Sequence, residues 1–179
     1  MASTGEAVPT LRELAAMAHE QSAEQLVARF GAIALVGPAA PLGEAAPGFR
    51  YATEHGPRTG GAPHPMQSLL DSVVYGVVKR QPGGAFASIL VVGRAPNSDV
   101  WIDDAHVSKL HARIAVDAAR GHVISDAGSA NGTFVDDVRL AERAERVLVE
   151  GTRVAFGDRS FVVRGVATLH AMLARFPRP

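Results

Sequence analysis

Residues 97–135 read NSDVWIDDAHVSKLHARIAVDAARGHVISDAGSANGTFV, and the pattern of this stretch decides the fold. Short apolar segments are interrupted every eight to twelve residues or so by Gly, Asp, Asn or Ser, as in all-β domains. Within the segment HARIAV, the apolar residues Ala112, Ile114 and Val116 alternate with other residues. Alternation puts every second side chain on one face of a strand, so the stretch predicts strands that each bury one face.

The same pattern continues on both sides of this stretch. Further short strands are predicted within VVYGVVK and AFASILVV before it, and within VRL, RVLV, TRVAF and SFVVR after it. Residues 70–165 are therefore predicted to form one all-β domain, a sandwich or a barrel. Beyond it, residues 166–179 are predicted to form a C-terminal helix packed on this domain, with Val166, Leu169, Leu173 and Phe176 on its buried face.

The N-terminal residues 1–36 are predicted to form a small helical extension. Thr10 with Glu13 and Ser22 with Gln25 each have the spacing of a capping box, which marks the start of a helix. The apolar segment AIALV at residues 32–36 fits either a buried strand or more helix.

Residues 37–69 are crowded with Pro and Gly, which disfavour regular structure. This segment is predicted to be a linker.

Composition excludes several classes of function. The chain of 179 residues has 18 basic and 18 acidic side chains and no run of basic residues, so we expect no nucleic-acid partner. Without cysteine it has no thiolate ligand or thiol nucleophile, and its histidines lack metal-site spacing, so we expect neither metal nor cofactor. The longest apolar run, 30–36, is too short to span a membrane as a helix, and MASTGEAVPTLRE lacks the apolar core of a signal peptide. We therefore expect a cytoplasmic protein that does not contact membranes.

Three polar clusters lie at the ends of predicted strands: Gly93-Arg94, residues 108–111 and residues 128–133. Loops that are distant in sequence meet at the poles of a sandwich, where binding residues collect. Together these clusters supply an Arg, a Lys, Ser hydroxyls, an Asn and glycine-rich turns. Such donors fit the oxygens of a phosphate dianion.

In this order, the motifs G-R, S-x-x-H and N-G-T resemble those of forkhead-associated domains. They are met by Gly93-Arg94, by Ser108 to His111, and by Asn131-Gly132-Thr133, and the resemblance covers roughly residues 70–165. It implies a two-sheet β-sandwich of about eleven strands. It also implies a bacterial, non-catalytic module that binds phosphothreonine proteins or peptides in a Ser/Thr kinase pathway.

The resemblance also implies a role for each motif residue. Arg94 and Ser108 would bind the phosphate with Lys109 beside them, Asn131 would hold the peptide backbone, and His106 would sense the third residue after the phosphothreonine. The loops would be shaped by Gly93, His111, Gly132 and Thr133. Ala130 departs from the Ser or Thr that is frequent in the family, which predicts weaker binding. Some family members bind their own phosphorylated N-terminal segment, so Thr53 and Thr59 in the linker are candidate self-ligands.

Other interpretations of these residues remain open. Asn131-Gly132 is also a strong hairpin signal, Lys109 fits an exposed surface residue, and Trp101 is expected to face away from its neighbours without an assigned role. The residue types of a hydrolytic triad occur at Ser108, His111 and Asp126, but no G-x-S-x-G elbow surrounds the serine.

A structural or assembly adaptor is the alternative function. It would act through the N-terminal helices and retain only a weak or vestigial phosphate pocket.

Overall fold

The computed structural model describes residues 8–38, 69–80 and 87–176. Most of the predicted linker, including Thr53 and Thr59, lies outside these ranges. The helices are α1 (Leu11–Glu20), α2 (Ala23–Phe30) and α3 (Val166–Leu173). The strands are β1 (Ile33–Gly37), β2 (Val73–Gly76), β3 (Ile89–Gly93), β4 (Val100–Trp101), β5 (Ala112–Asp117), β6 (Gly121–Asp126), β7 (Thr133–Val135), β8 (Val138–Arg139), β9 (Glu145–Leu148), β10 (Arg153–Phe156) and β11 (Arg159–Gly165).

The strands form two sheets. One sheet has the order β2-β1-β11-β10-β7-β8, and the other has the order β4-β3-β5-β6-β9. The paired strands are antiparallel except β3 and β4, which run parallel. The predicted two-sheet β-sandwich with small helices is confirmed.

A hydrophobic core fills the space between the sheets. It includes Val92, Ile114 and Ile124 from one sheet and Phe156 and Phe161 from the other, all almost fully buried. Along β11, buried residues alternate with exposed or half-buried ones, as the sequence pattern predicts. In β5, Ala112 and Ile114 are buried as predicted, but Val116, near the end of the strand, is 47% exposed, so its prediction as part of the buried face is wrong. This rigid core supports the loops at the ends of the strands.

One predicted boundary is wrong. The segment at residues 32–36, assigned to the helical extension, contributes β1, which lies inside the six-stranded sheet between β2 and β11. Leu35 of β1 pairs with Tyr75 on one side and Val163 on the other, and it is fully buried in the core. The sandwich therefore begins before residue 37. A short apolar run predicts burial equally well as strand or helix, and only its partners decide between them.

The three helices form a second hydrophobic cluster on the outer side of β1 and β2. Both capping boxes are present: Thr10 with Glu13 begins α1, and Ser22 with Gln25 begins α2. The cluster contains Leu14, Leu26, Ala34, Val74, Val166, Leu169 and Leu173. The C-terminal helix thus packs on the N-terminal helices as well as on the sheet. Phe176 lies beyond the end of α3 and is 40% exposed, so its prediction as a buried helix residue is wrong.

The tight hairpin of this region is not at Asn131-Gly132. Val135 of β7 pairs directly with Val138 of β8, so the two-residue turn consists of Asp136 and Asp137, and both have positive φ. Gly132 also has positive φ, but it lies in the longer loop between β6 and β7.

None of the helices described here is long and apolar enough to cross a membrane.

Candidate functional site

Three loops meet at one pole of the sandwich. We call residues 94–99 the first loop, residues 102–111 the second loop and residues 127–132 the third loop. The first and second loops are joined by hydrogen bonds from the amide of Arg94 to the carbonyl of Ser108 (2.9 Å) and from Arg94 Nε to the carbonyl of Val107 (3.1 Å). The second and third are joined by the amide of Ala130, which donates to Ser108 Oγ at 3.0 Å. The three predicted motifs therefore lie together.

Gly93 permits the close contact between the first two loops. A Cβ built on Gly93 would lie 2.2 Å from the carbonyl oxygen of Lys109, far inside van der Waals contact. The amide of Ala95 donates to that same oxygen at 3.2 Å. Because any side chain at position 93 would separate the loops, the requirement for glycine here is one of space.

Ser108 is held so that its hydroxyl hydrogen remains available. Its Oγ accepts the hydrogen bond from the amide of Ala130, which uses one of the two lone pairs on that oxygen. The side chain is half-buried at the surface of the pole. This arrangement leaves the O–H able to donate a hydrogen bond to an oxygen of a bound ligand.

His111 connects the second loop to the third from within the core. Its ring is fully buried, Nδ1 accepts from the amide of Ser108 at 2.9 Å, and Nε2 lies 3.1 Å from the carbonyl of Gly132. Since an amide donates to Nδ1, the proton belongs on Nε2, which then donates to Gly132. Burial lowers the pKa of His111, which agrees with a neutral ring, although the Gly132 carbonyl and the charge of Asp126 oppose the shift.

Asp126 organises the third loop. Its carboxylate accepts hydrogen bonds from the amides of Gly128 and Ser129 and from the hydroxyls of Ser129 and Thr133, at 2.6–3.0 Å. Burial opposes ionisation of this carboxyl, but the four hydrogen bonds outweigh it and lower the pKa of Asp126. The predicted structural role of Thr133 has a physical basis in this contact. Sequence reasoning considered Asp126 only as part of a triad, although an Asp before a Gly-Ser turn is a signal for such a loop.

The triad geometry is absent from the described residues. Both ring nitrogens of His111 face backbone groups, and Ser108 Oγ accepts from a backbone amide. Asp126 bonds to its own loop. A base that activates a serine must hydrogen-bond to its hydroxyl, and His111 does not.

Asn131 lies against the second loop. Its Nδ2 donates to the carbonyl of His106 at 2.8 Å, and the side chain is exposed at the pole. The turn between β10 and β11 supports this contact, because a Cβ built on Gly157 would lie 2.9 Å from the His106 carbonyl oxygen and 3.0 Å from Asn131 Cβ. Sequence reasoning did not identify Gly157 as a neighbour of the site.

Trp101 positions the first loop. Its Nε1 donates to the carbonyl of Arg94 at 3.2 Å. The predicted orientation holds, since Val100 and Ile102 are buried in the core and Trp101 is only half-buried. The indole therefore has a partner that the sequence alone did not reveal.

The charges at this pole favour an anion. Arg94 is half-buried and Lys109 is exposed, and neither forms an ion pair with a carboxylate among residues 8–38, 69–80 and 87–176. His106 is 40% exposed and contacts Asp104. The pole thus presents a guanidinium, an ammonium, a hydroxyl and a carboxamide, which together match the acceptors of a phosphate group next to a peptide.

Across the described residues, no group of three or more metal-ligating side chains is found.

Comparison with known proteins gives one matching family and several relatives. The family model of the FHA domain matches residues 90–157. An oxoglutarate dehydrogenase inhibitor of Corynebacterium jeikeium is 33% identical over 109 residues, which cover 58% of this chain and 73% of the relative. The glycogen accumulation regulator GarA of Mycolicibacterium smegmatis is 35% identical over 104 residues, covering 55% of this chain and 63% of the relative.

Another oxoglutarate dehydrogenase inhibitor, from Corynebacterium efficiens, is 35% identical over 86 residues, which cover 45% of this chain and 58% of the relative. This chain therefore spans about 58 to 63% of several curated relatives. Among solved structures, the FHA domain of an Arabidopsis thaliana protein matches with 30% identity and a TM-score of 0.41, over 53% of this chain and 74% of that one.

Proposed function

This chain belongs to the forkhead-associated (FHA) domain family, and from that premise we propose that it binds phosphothreonine-containing segments of partner proteins. The observation that carries the proposal is the junction of Arg94 and Ser108. The Arg94 guanidinium is anchored on the carbonyl of Val107, and the hydroxyl of the next residue, Ser108, is anchored on the amide of Ala130, while no described carboxylate neutralises the arginine. A phosphate supplies the missing negative charge.

Each residue has a task in this proposal. Arg94 and Ser108 bind the phosphate oxygens, and the exposed Lys109 adds charge beside them. Asn131 holds the peptide backbone while its amide stays on the His106 carbonyl. Gly93, His111, Gly132 and Thr133 hold the loops in place. His106, at the rim, faces a residue that follows the phosphothreonine.

The expected affinity is moderate. About four charge-assisted hydrogen bonds of roughly 2 kcal/mol each, less the cost of ordering the peptide, correspond to a dissociation constant near micromolar. Because the second pKa of a phosphate is about 6, binding should weaken when the pH falls below that value and the ligand loses charge. An affinity that stays constant down to about pH 5 would contradict a dianionic ligand.

We further propose a regulatory rather than a catalytic role, in the cytoplasm of a bacterium and downstream of a Ser/Thr kinase. A phosphothreonine ligand arises only after such a kinase has acted. Two of the relatives are named as a dehydrogenase inhibitor and an accumulation regulator, which supports regulation through binding. The His111 ring, bonded to backbone on both sides, also offers no base to Ser108.

The decisive experiment is an oriented phosphothreonine peptide library screened against the wild-type chain and Arg94→Ala. Selected peptides should bind the wild type and lose at least tenfold in affinity, about 1.4 kcal/mol, for the variant. Arg164→Ala is the matched control, because Arg164 is an exposed arginine near the far end of β11 and pairs only with Glu150 among the described residues. Peptides with phosphoserine test for preference of threonine.

The adaptor alternative makes a different prediction. If the N-terminal helices are the working surface and the pocket is vestigial, a selected phosphopeptide will not raise the melting temperature of the chain. Stabilisation that grows with peptide concentration, and that is absent in Arg94→Ala, supports the binding role.

A further inference from the structure

We propose that Arg159 is a positioning residue of the phosphopeptide site, acting through Asp104 on the second loop, an inference that rests on the proposed function. Arg159 begins β11, far along the chain from the three motifs, and its side chain is only 8% exposed. A buried guanidinium is rare unless it is paired. Its partners therefore indicate what it does.

Among the described residues, the guanidinium has a hydrogen-bond partner and an ion-pair partner on different elements. Nη2 donates to the carbonyl of Pro38, just after β1, at 2.7 Å. Nε lies 3.4 Å from Asp104 Oδ2 and has no hydrogen-bond acceptor among the described atoms, so charge attraction holds the pair together. The Pro38 contact fixes the end of the arginine side chain, and the fixed charge then determines where Asp104 lies.

Asp104 in turn shapes the chain that leads to Ser108. Its Oδ1 accepts from the amide of His106 at 2.8 Å and lies 3.1 Å from Nδ1 of the same residue. Its backbone carbonyl accepts from the amide of Val107 at 3.1 Å. With its side chain only 12% exposed, Asp104 holds residues 104–107 in one turn.

The carbonyls of that turn orient two of the residues proposed to bind the ligand. The His106 carbonyl accepts from Asn131 Nδ2, and the Val107 carbonyl accepts from Arg94 Nε. A change in the turn at 104–107 therefore changes the direction of both side chains at once. Among the described hydrogen bonds none joins the Arg159 side chain to Arg94 or Asn131, so its proposed effect passes through Asp104 and this turn, which makes it a positioning residue.

Loss of either partner leaves a buried charge uncompensated. Without Arg159, the carboxylate of Asp104 gains by moving toward water, which weakens its bond to the His106 amide. Without the charge of Asp104, the guanidinium keeps only the Pro38 carbonyl as a described partner. Both changes should loosen the turn and lower the affinity for the phosphopeptide.

The test measures peptide affinity by calorimetry for Arg159→Met, Asp104→Asn and the double variant, at a temperature where each is folded. Each single variant should bind about tenfold more weakly, as expected when one charge-assisted contact is lost, and the double variant should lose little more than either single one. Arg159→Lys, which keeps the charge, should recover part of the loss. In the peptide-free protein, the amides of His106 and Val107 should exchange faster in both single variants.

Arg164→Met is the control, since it removes an arginine from the same strand and breaks the Arg164–Glu150 pair near the far end of β11, outside the three loops. It should leave the affinity within about twofold of the wild type. Wild-type affinity in folded Arg159→Met, or an equal loss in Arg164→Met, would overturn the inference. If Arg159→Met does not fold, the nearly isosteric Asp104→Asn decides by the same criterion. Failure of the wild type to bind any phosphothreonine peptide would overturn the proposed function instead, and the role of Arg159 with it.

Discussion

The amide of Ser108 donates a hydrogen bond to Nδ1 of the buried His111 at 2.9 Å. This contact fixes the ring as the neutral tautomer with its proton on Nε2, and that proton is shared with the Gly132 carbonyl. One imidazole therefore sets the distance between the loop that carries the proposed phosphate ligand Ser108 and the loop that carries Asn131. The stability of the pole depends on the charge state of this ring.

The first prediction concerns the pH dependence of stability. Burial lowers the pKa of His111, and also that of His122, so the unfolded chain binds more protons than the native chain below about pH 6.5. The free energy of unfolding should therefore fall as the pH is lowered from about 6.5 toward the native pKa values. Urea unfolding of the wild type and of His111→Gln at a series of pH values measures this effect.

The variant should lose part of this pH dependence and should also be less stable at neutral pH by about 2–4 kcal/mol. That cost reflects a poorer fit in the core and the lost partners of Ser108 and Gly132. An identical slope in wild type and variant between about pH 7 and 5 would show that His111 does not titrate in this way.

The second prediction is that Gly93→Ala damages both stability and peptide binding. The added Cβ would lie 2.2 Å from the Lys109 carbonyl oxygen, so the first and second loops must separate. Gly128→Ala is the control: its Cβ meets no described atom within 4 Å, and the variant carries only the strain of a positive φ, about 1 kcal/mol. Thermal unfolding and calorimetry should rank Gly93→Ala well below Gly128→Ala in both properties. Equal losses in the two variants would contradict the spatial argument.

The third prediction is that Asp126→Asn weakens the third loop. The amide group of Asn would place a donor where the amides of Gly128 and Ser129 or the two hydroxyls now donate, so at least one bond is lost. A cost of about 1–3 kcal/mol in unfolding free energy is expected. Because folding lowers the pKa of Asp126, the wild-type advantage should persist above about pH 4 and disappear in more acidic solution. Chemical unfolding at neutral and acidic pH provides the comparison, and an advantage that grows on acidification would refute this assignment.

The fourth prediction concerns Trp101. Trp101→Phe keeps an aromatic ring on the outer side of β4 but removes the hydrogen bond to the Arg94 carbonyl. The affinity for a phosphothreonine peptide should fall by about three- to tenfold, corresponding to one neutral hydrogen bond, while the fold is retained. Isothermal titration calorimetry measures the change. Unaltered affinity would mean that the first loop is held without the indole.

Much of this architecture follows from local pattern in the chain. The alternation in HARIAV and the regular turns predict half-buried strands, and both capping boxes predict where the N-terminal helices begin, because these signals act between residues a few positions apart. The motifs at Gly93-Arg94, 108–111 and 131–133 also predict that three loops meet at one pole, which they do.

The remaining features depend on contacts between residues that are distant in sequence. The apolar run at 32–36 supplies most of β1, an interior strand of the sheet, because β2 and β11 flank it, whereas its composition fits a helix equally well. Arg159 and Gly157 reach the loops only when β10 and β11 fold back beside them, and Asp104 and Trp101 acquire their roles from the partners they meet there. Residue type and order therefore specify which segments bury which face, whereas hydrogen-bond partners across the pole follow from how the two sheets are joined.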